Sequence, residues 1–143
     1  MIEIKCENEL IQFDIVEFVT GKKKWGSGDV VKCNVYFTKF ECKFTSKDIV
    51  ISYDAFNQFH TDLTQLLNNE KDHCLLSDQQ GVVSLKIHKN KDGFPSLREN
   101  EDFDRLIEFE FFYYAGSDMS FKGFLFVDTD SLRSFEKEIE LLL

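Results

Sequence analysis

Apolar side chains alternate with polar ones, or form short runs, in seven stretches of this 143-residue chain. Alternation with period two is typical of strands with one buried face, and the turn-rich segments between the stretches favour antiparallel pairing. The stretches lie at residues 2–6, 10–19, 30–37, 40–45, 82–88, 105–115 and 121–127. The sequence therefore predicts about seven β-strands.

Two further stretches repeat apolar residues at helical spacing. In ISYDAFNQFHTDLTQLLNNE, Ser52 is the expected N-cap and Asp54 favours the first turn. In VDTDSLRSFEKEIELLL, Thr129 or Asp130 is the expected cap. The apolar stripes are Phe56, Phe59, Leu63, Leu66 and Leu67 in the first helix and Leu132, Phe135, Ile139, Leu142 and Leu143 in the second. Their constant offset of 76 residues hints at two strand-then-helix units.

These elements predict an α+β fold. We expect one twisted, mainly antiparallel sheet of about six to eight strands with two principal helices, a partial sandwich being the alternative arrangement. In strand 121–127 we expect the second helix to cover Phe124 and Phe126, which lie on the face opposite Leu125 and Val127. Residues 1–143 have the length of a single domain.

The composition is rich in aromatic residues, with 16 Phe, 4 Tyr and 1 Trp, which suits packing on pleated sheets. Because no long uncharged apolar run occurs, neither a membrane span nor a secretory segment is predicted, and we expect a cytoplasmic protein. Cys6, Cys33 and Cys42 share strand faces with apolar neighbours, and the cysteine spacing fits no zinc pattern. We therefore expect buried free thiols.

The net charge of −9 is unevenly distributed along the chain. Residues 1–91 hold 13 acidic residues and 12 lysines, whereas residues 92–143 hold 13 acidic residues and 5 basic ones, a net charge of −8. A negative field disfavours nucleic acid and anionic membranes as partners and favours a basic protein. The alternative is that the acidic residues only keep an aromatic-rich chain in solution.

No catalytic, cofactor or metal motif is present. The histidines His60, His73 and His88 have no metal-ligand spacing, and we interpret His60 as a hydrogen-bonded residue at the edge of a helix stripe. The chain also lacks a nucleophile elbow, a phosphate-binding loop and a calcium loop. The sequence therefore predicts a protein that is not an enzyme and holds no cofactor or metal.

A lysine-rich loop precedes the third stretch. Lys22, Lys23 and Lys24 lie beside Trp25 between glycines. Lysines next to an aromatic ring are typical of a phosphate- or base-contacting patch. The alternative is a solvated hairpin tip with an anchoring tryptophan, and three lysines on an acidic protein are a small footprint for nucleic acid.

The C-terminal segment FYYAGSDMSFKGFLFVDTDSLRSFEKEIELLL has a hairpin-like step with a glycine, an aromatic-aliphatic strand and an acidic turn into a terminal helix. It resembles the end of the WapI-type immunity family, bacterial proteins paired with polymorphic, wall-associated nuclease toxins. The matching positions are Phe124, Phe126, Asp128, Asp130, Ser131 and Leu132. The helix SYDAFNQFHTDLTQLL also resembles that family's internal helix.

The resemblance implies a cytoplasmic immunity protein that binds the catalytic domain of a cognate toxin, as in contact-dependent inhibition, and needs no chemistry of its own. An acidic surface would complement the basic face of a nuclease. Glu108, Glu110, Phe112 and Tyr114, in LIEFEFFYYAG, share one strand parity and are the predicted partner-binding stripe, together with Asp102 and Asp104 of the preceding loop.

Two alternatives stay open at this stage. Phe112 and Tyr114 could lie beneath a helix, with Glu108 and Glu110 beyond its end. The whole protein could also be a non-enzymatic β-rich ligand-binding or structural module whose aromatic interior encloses an apolar molecule. An enclosed cavity would favour such a ligand, and a flat acidic patch would favour the toxin. The sequence does not predict the oligomeric state.

Overall fold

The computed structural model describes residues 1–90 and 105–143. These residues form eight strands and two helices, which confirms the predicted α+β class. The strands are β1 Ile2–Cys6, β2 Glu9–Val19, β3 Val30–Lys39, β4 Cys42–Ser52, β5 His73–Ser77, β6 Val83–His88, β7 Arg105–Phe112 and β8 Ser120–Val127, and the helices are α1 Tyr53–Leu67 and α2 Thr129–Leu142.

The strands are divided between two antiparallel four-stranded sheets, each ordered as its strands occur in the chain. The first sheet contains β1 to β4 and is followed by α1, and the second contains β5 to β8 and is followed by α2. Within the part of the chain that the structure describes, the same succession of four strands and one helix thus occurs twice. The two strand-then-helix units indicated by the helix spacing are present.

Both helices begin at a capping side chain. Ser52 Oγ accepts a hydrogen bond from Ala55 N (3.0 Å), as predicted. The cap of α2 is Asp128, whose Oδ1 accepts from Ser131 N (2.7 Å), so the predicted caps Thr129 and Asp130 are wrong by one or two residues. Each cap satisfies one of the backbone N–H groups that the first helical turn leaves without a partner.

The core is shared between both sheets and both helices. The ring of Phe13 on β2 contacts Phe56 of α1 and Phe135 of α2, with 6.4 Å between centroids in each pair. The aromatic ring of Phe37 on β3 lies 4.9 Å from that of Phe109 on β7. The prediction that α2 covers Phe124 and Phe126 is wrong, because the α2 stripe shares the core with Leu125 and Val127 on the other face of β8, and Phe124 is 41% exposed. The α2 stripe instead packs beside β1 and α1.

Two hydrogen bonds join the edge of the first sheet to the second half of the chain. Gln79 N donates to Val50 O (3.1 Å), and the buried Ser46 hydroxyl donates to the carbonyl of Phe112. These bonds and the shared core hold the two sheets in one arrangement. Neither helix of the described residues is long and apolar enough to cross a membrane.

Candidate partner-binding surface

The outer face of the second sheet carries the predicted glutamates. Val83, Leu85 and Ile87 of β6 point into the core, so the residues between them point outward, as predicted. The pairing register places Glu108 between Lys86 and Phe124, and Glu110 between Ser84 and Lys122. The helices bury their stripes on the opposite side of β7. Glu108 and Glu110 are therefore half-buried residues of a sheet face, and neither lies beneath α1 or α2.

The charges of this outer face alternate. His88 Nε2 lies 3.2 Å from Glu108 Oε1, and Ser120 Oγ donates to Glu110 Oε2 at 3.4 Å. Each glutamate also has a lysine directly across from it on a neighbouring strand, Lys86 or Lys122. The alternation of residues along β7 indicated only the two glutamates on this face. The lysines beside them lie on β6 and β8, so their proximity is seen only when the three strands are paired. The expected acidic stripe is therefore a mixed-charge surface.

A shallow groove of about 620 Å³ runs across this face. Its charged lining comes from Lys86, Glu108, Glu110 and Lys122. Gly123 also lines the groove, and a larger residue there would crowd the ring of Phe109, because an added Cβ would lie 3.3 Å from Phe109 Cζ. The groove is open to solvent, so it suits contact with another surface better than enclosure of a ligand.

Strand β7 ends at Phe112, earlier than predicted, and this separates the two aromatic residues of the predicted stripe. Phe112 is half-buried against the core, and its backbone N donates to Val82 O (2.8 Å). Tyr114 lies beyond the strand end, in the connection to β8. Phe112 is thus a structural residue, and only Tyr114 of the pair is exposed.

The connection of residues 113–119, here called the tyrosine turn, exposes three large side chains. Tyr113, Tyr114 and Met119 are 46%, 55% and 53% exposed. The two tyrosine rings pack edge to face at 5.5 Å, and Tyr113 N donates to Met119 O (3.1 Å). Parity reasoning missed Tyr113 and Met119. The available signal was an aromatic run that continues into a glycine-containing turn.

Asp102 and Asp104, the other predicted partner-binding residues, lie outside the described residues. Much of the C-terminal acidic charge is instead found around α2 and β1. Glu3, Asp128, Asp130 and Glu138 line a shared concavity together with Lys5. Two of these carboxylates have structural roles, because Asp128 caps α2 and Glu138 Oε2 accepts from Glu3 N (2.7 Å).

The lysine-rich loop is organised around a buried tryptophan. Trp25 Nε1 donates to Leu142 O (2.8 Å), and its ring packs edge to face with Phe18 and Tyr53. Hydrogen bonds from the Thr20 hydroxyl and Gly26 N hold the pKa of Asp29 below its ordinary value, which fixes the turn after the tryptophan. The anchoring-tryptophan interpretation is therefore confirmed, since the ring is not presented to a base.

The thiols and histidines differ in part from their predictions. Cys6 and Cys33 are buried as expected, and Cys74 is buried as well. Cys42 is exposed, so its predicted burial is wrong, because it lies at the strand end beyond the core. Burial raises the pKa of both the Cys33 and Cys74 thiols to about 12. His60 Nε2 is buried without a hydrogen-bond partner, which corrects the expectation that this residue is satisfied.

Metal binding finds no support in the described residues, where no group of three or more His, Cys, Asp or Glu side chains could hold an ion. Searches of protein-family models, curated proteins and solved structures found no match to this chain. The resemblance to WapI-type immunity proteins thus stays a prediction from the sequence.

Proposed function

We propose that this chain is a bacterial immunity protein that binds a basic toxin domain in the cytoplasm and neutralises it, without chemistry of its own. The tyrosine turn is the observation that supports the proposal. Two tyrosines and a methionine, exposed together beside a charged sheet face, match the composition of protein interfaces, where Tyr and Met are enriched. A pair of tyrosines offers large contact area with few rotatable bonds.

The electrostatic contribution is divided between two parts of the surface. The net charge of −9 attracts a basic partner over a distance and speeds association. On the outer face itself, Glu108 and Glu110 alternate with Lys86 and Lys122, so local charge there selects a complementary pattern. In this proposal the tyrosine turn anchors the toxin domain, and the outer face sets its orientation.

The first test removes the anchor. Replacing both tyrosines, Tyr113→Ser with Tyr114→Ser, should weaken binding to the cognate toxin domain of this proposal, to be sought among the neighbouring genes, by about 2 kcal/mol or more, as loss of interface hot spots does. That corresponds to roughly 30-fold in Kd. Calorimetry would give the Kd, and survival of cells co-expressing the two proteins would report neutralisation. Leu75→Thr is the matched control, because Leu75 is 50% exposed on β5 at the far edge of the same sheet.

The second test concerns the glutamates. The replacements Glu108→Gln and Glu110→Gln are preferable to lysine, because a lysine would face Lys86 or Lys122 across the sheet and repel it. We expect slower association and a weaker dependence of binding on salt, with the fold retained. Unchanged affinity and survival in both double variants, with circular dichroism showing folded protein, would contradict this binding surface. Absence of binding by the wild-type chain would contradict the function itself.

A further inference from the structure

The turn between β3 and β4 exposes a strained aromatic residue. Phe40 has a backbone φ of 53° and its side chain is 71% exposed. Non-glycine residues rarely adopt this left-handed region, where Asn, Asp and Gly are the usual occupants. The monomer gains little from the ring, since little of its surface is buried. A strained and exposed phenylalanine therefore points to a contact outside the monomer.

An apolar groove adjoins this residue. It has a volume of about 390 Å³ and lies between the β3–β4 turn and β8, with Phe40 on its border. Aromatic side chains line it, including those of Phe37, Phe109 and Phe121. The ring centroid of Phe37 lies 4.9 Å from that of Phe109 and 5.0 Å from that of Phe121. Such a surface can bury the ring of a further phenylalanine.

We infer that this patch is the interface of a symmetric dimer, in which Phe40 of each copy enters the groove of the other. A two-fold interface uses the same patch on both subunits, so it needs a projecting group and its receptor on one surface. Phe40 and the groove meet that condition because they adjoin. The inference does not depend on the proposed immunity function.

The charges around the groove favour a second copy of this chain over a basic protein. Two acidic residues, Glu9 and Glu41, and two lysines, Lys39 and Lys122, belong to its lining. Glu9 and Lys39 already form an ion pair at 2.5 Å. The patch is therefore neutral on a chain of net charge −9, and two copies can meet here without the repulsion that acidic faces would produce.

Two further charges can pair across the dimer axis, Glu41 and Lys122, the second of which also lies across from Glu110 on the outer sheet face. Glu41 lies on the turn side of the groove and Lys122 lies on β8, and both are exposed. A two-fold axis through the groove would bring Glu41 of one copy toward Lys122 of the other. Charges at such positions fix the register of an interface more than its affinity.

The decisive variant is Phe40→Asn. Asparagine accepts a positive φ more readily than phenylalanine, so the turn should keep its shape and thermal stability while the projecting ring is lost. Sedimentation equilibrium across a dilution series, without any toxin, should show a dimer in the wild type. In the variant, the dissociation constant of the dimer should be at least about tenfold higher than in the wild type, as expected for the loss of an interface anchor. Leu75→Thr, an equally simple surface truncation on β5, should leave the dimer intact.

Cys42 supplies an independent readout, because it lines the groove and is exposed while Cys6, Cys33 and Cys74 are buried. A short bismaleimide should cross-link the wild-type chain into covalent dimers. The yield of covalent dimer should be much lower for Phe40→Asn and zero for Cys42→Ser. A wild-type chain that stays monomeric throughout the series would overturn the inference. A dimer that survives Phe40→Asn, with unchanged cross-linking, would overturn it as well.

Discussion

The two halves of the molecule, residues 1–67 and the described part of residues 73–142, have the same succession of four antiparallel strands and a helix but differ in strand length. In the first half β2, β3 and β4 are 10 or 11 residues long and the turns at 7–8 and 40–41 are short. In the second half β6, β7 and β8 have 6 to 8 residues. The first half therefore has the longer strands, and the second half contains the tyrosine turn between two shorter strands.

The helices show how the halves depend on each other. α1 packs beside β5 of the second sheet, and α2 packs beside β1 of the first. Each half thus covers part of its core with the helix of the other. The comparison teaches that the repeated architecture builds one shared core, while the candidate partner surface lies on the second half alone.

The largest expected effect on stability comes from replacing two equivalent phenylalanines, 76 residues apart, in the shared core. Phe59 in α1 and Phe135 in α2 are fully buried, and their rings contact each other at 6.0 Å. Each change to alanine should lower the free energy of unfolding by about 3–5 kcal/mol, because it leaves a cavity in a packed interior. Urea denaturation followed by circular dichroism would measure this loss.

The two losses should be similar, and the double variant should lose less than their sum because the rings are in contact. A loss below about 1 kcal/mol for Phe135→Ala beside a large loss for Phe59→Ala would break the comparison. It would show that the second helix is peripheral.

Helices were easier to predict than strand ends, for a physical reason. The stripe from Phe56 to Leu67 repeats over 12 residues and is buried in full. Strand β4 was predicted to end at residue 45 because its inward parity changes between Ser46 and Ile49, at an irregular step where Asp48 has a φ of 58°. Strand β5 was missed because it has five residues, among which Leu75 is apolar but exposed.

The candidate surface was predictable only in part. The parity of β7 correctly placed Glu108 and Glu110 on its outer side. The lysines that accompany them belong to β6 and β8, so their proximity depends on the pairing register, which one sequence does not specify. The exposure of Cys42 likewise depends on how far the core extends beneath the end of β4, which an alternating pattern does not report.

Two buried thiols, one in each half, can be used to test whether both halves of the core exclude water equally well. Burial raises the pKa of Cys33 and Cys74 to about 12, whereas the ordinary value is 9.0. Between these values the unfolded chain releases protons that the folded chain retains, so stability should fall as pH rises from 9 toward 12. Each thiol contributes at most about 1.4 kcal/mol per pH unit.

The measurement is the free energy of unfolding against pH for Cys33→Ala, Cys74→Ala and the double variant. Each single change should make the alkaline slope shallower by a similar amount, and the double change by about twice that. All other ionisable groups are common to the four proteins, so their contributions cancel in the differences. A slope that responds to only one thiol would show that the other half admits water.

The smallest expected effect comes from two acidic residues that occupy the same position in the two helices and do different work. Glu138 Oε2 in α2 accepts from the backbone N of Glu3 at the edge of β1 (2.7 Å), whereas Asp62 in α1 pairs with Lys71 Nζ (2.6 Å). Glu138→Ala leaves a half-buried N–H without its charged acceptor and should cost about 1.5–3 kcal/mol. Asp62→Ala removes a surface ion pair and should cost about 1 kcal/mol or less.

Raising the salt concentration should reduce the loss of stability in Asp62→Ala more than that in Glu138→Ala, because exposed ion pairs are screened. Equal losses with equal salt dependence would mean that the hydrogen bond from Glu3 N to Glu138 does not stabilise the fold. The packing of α2 against β1 would then depend on apolar contacts alone.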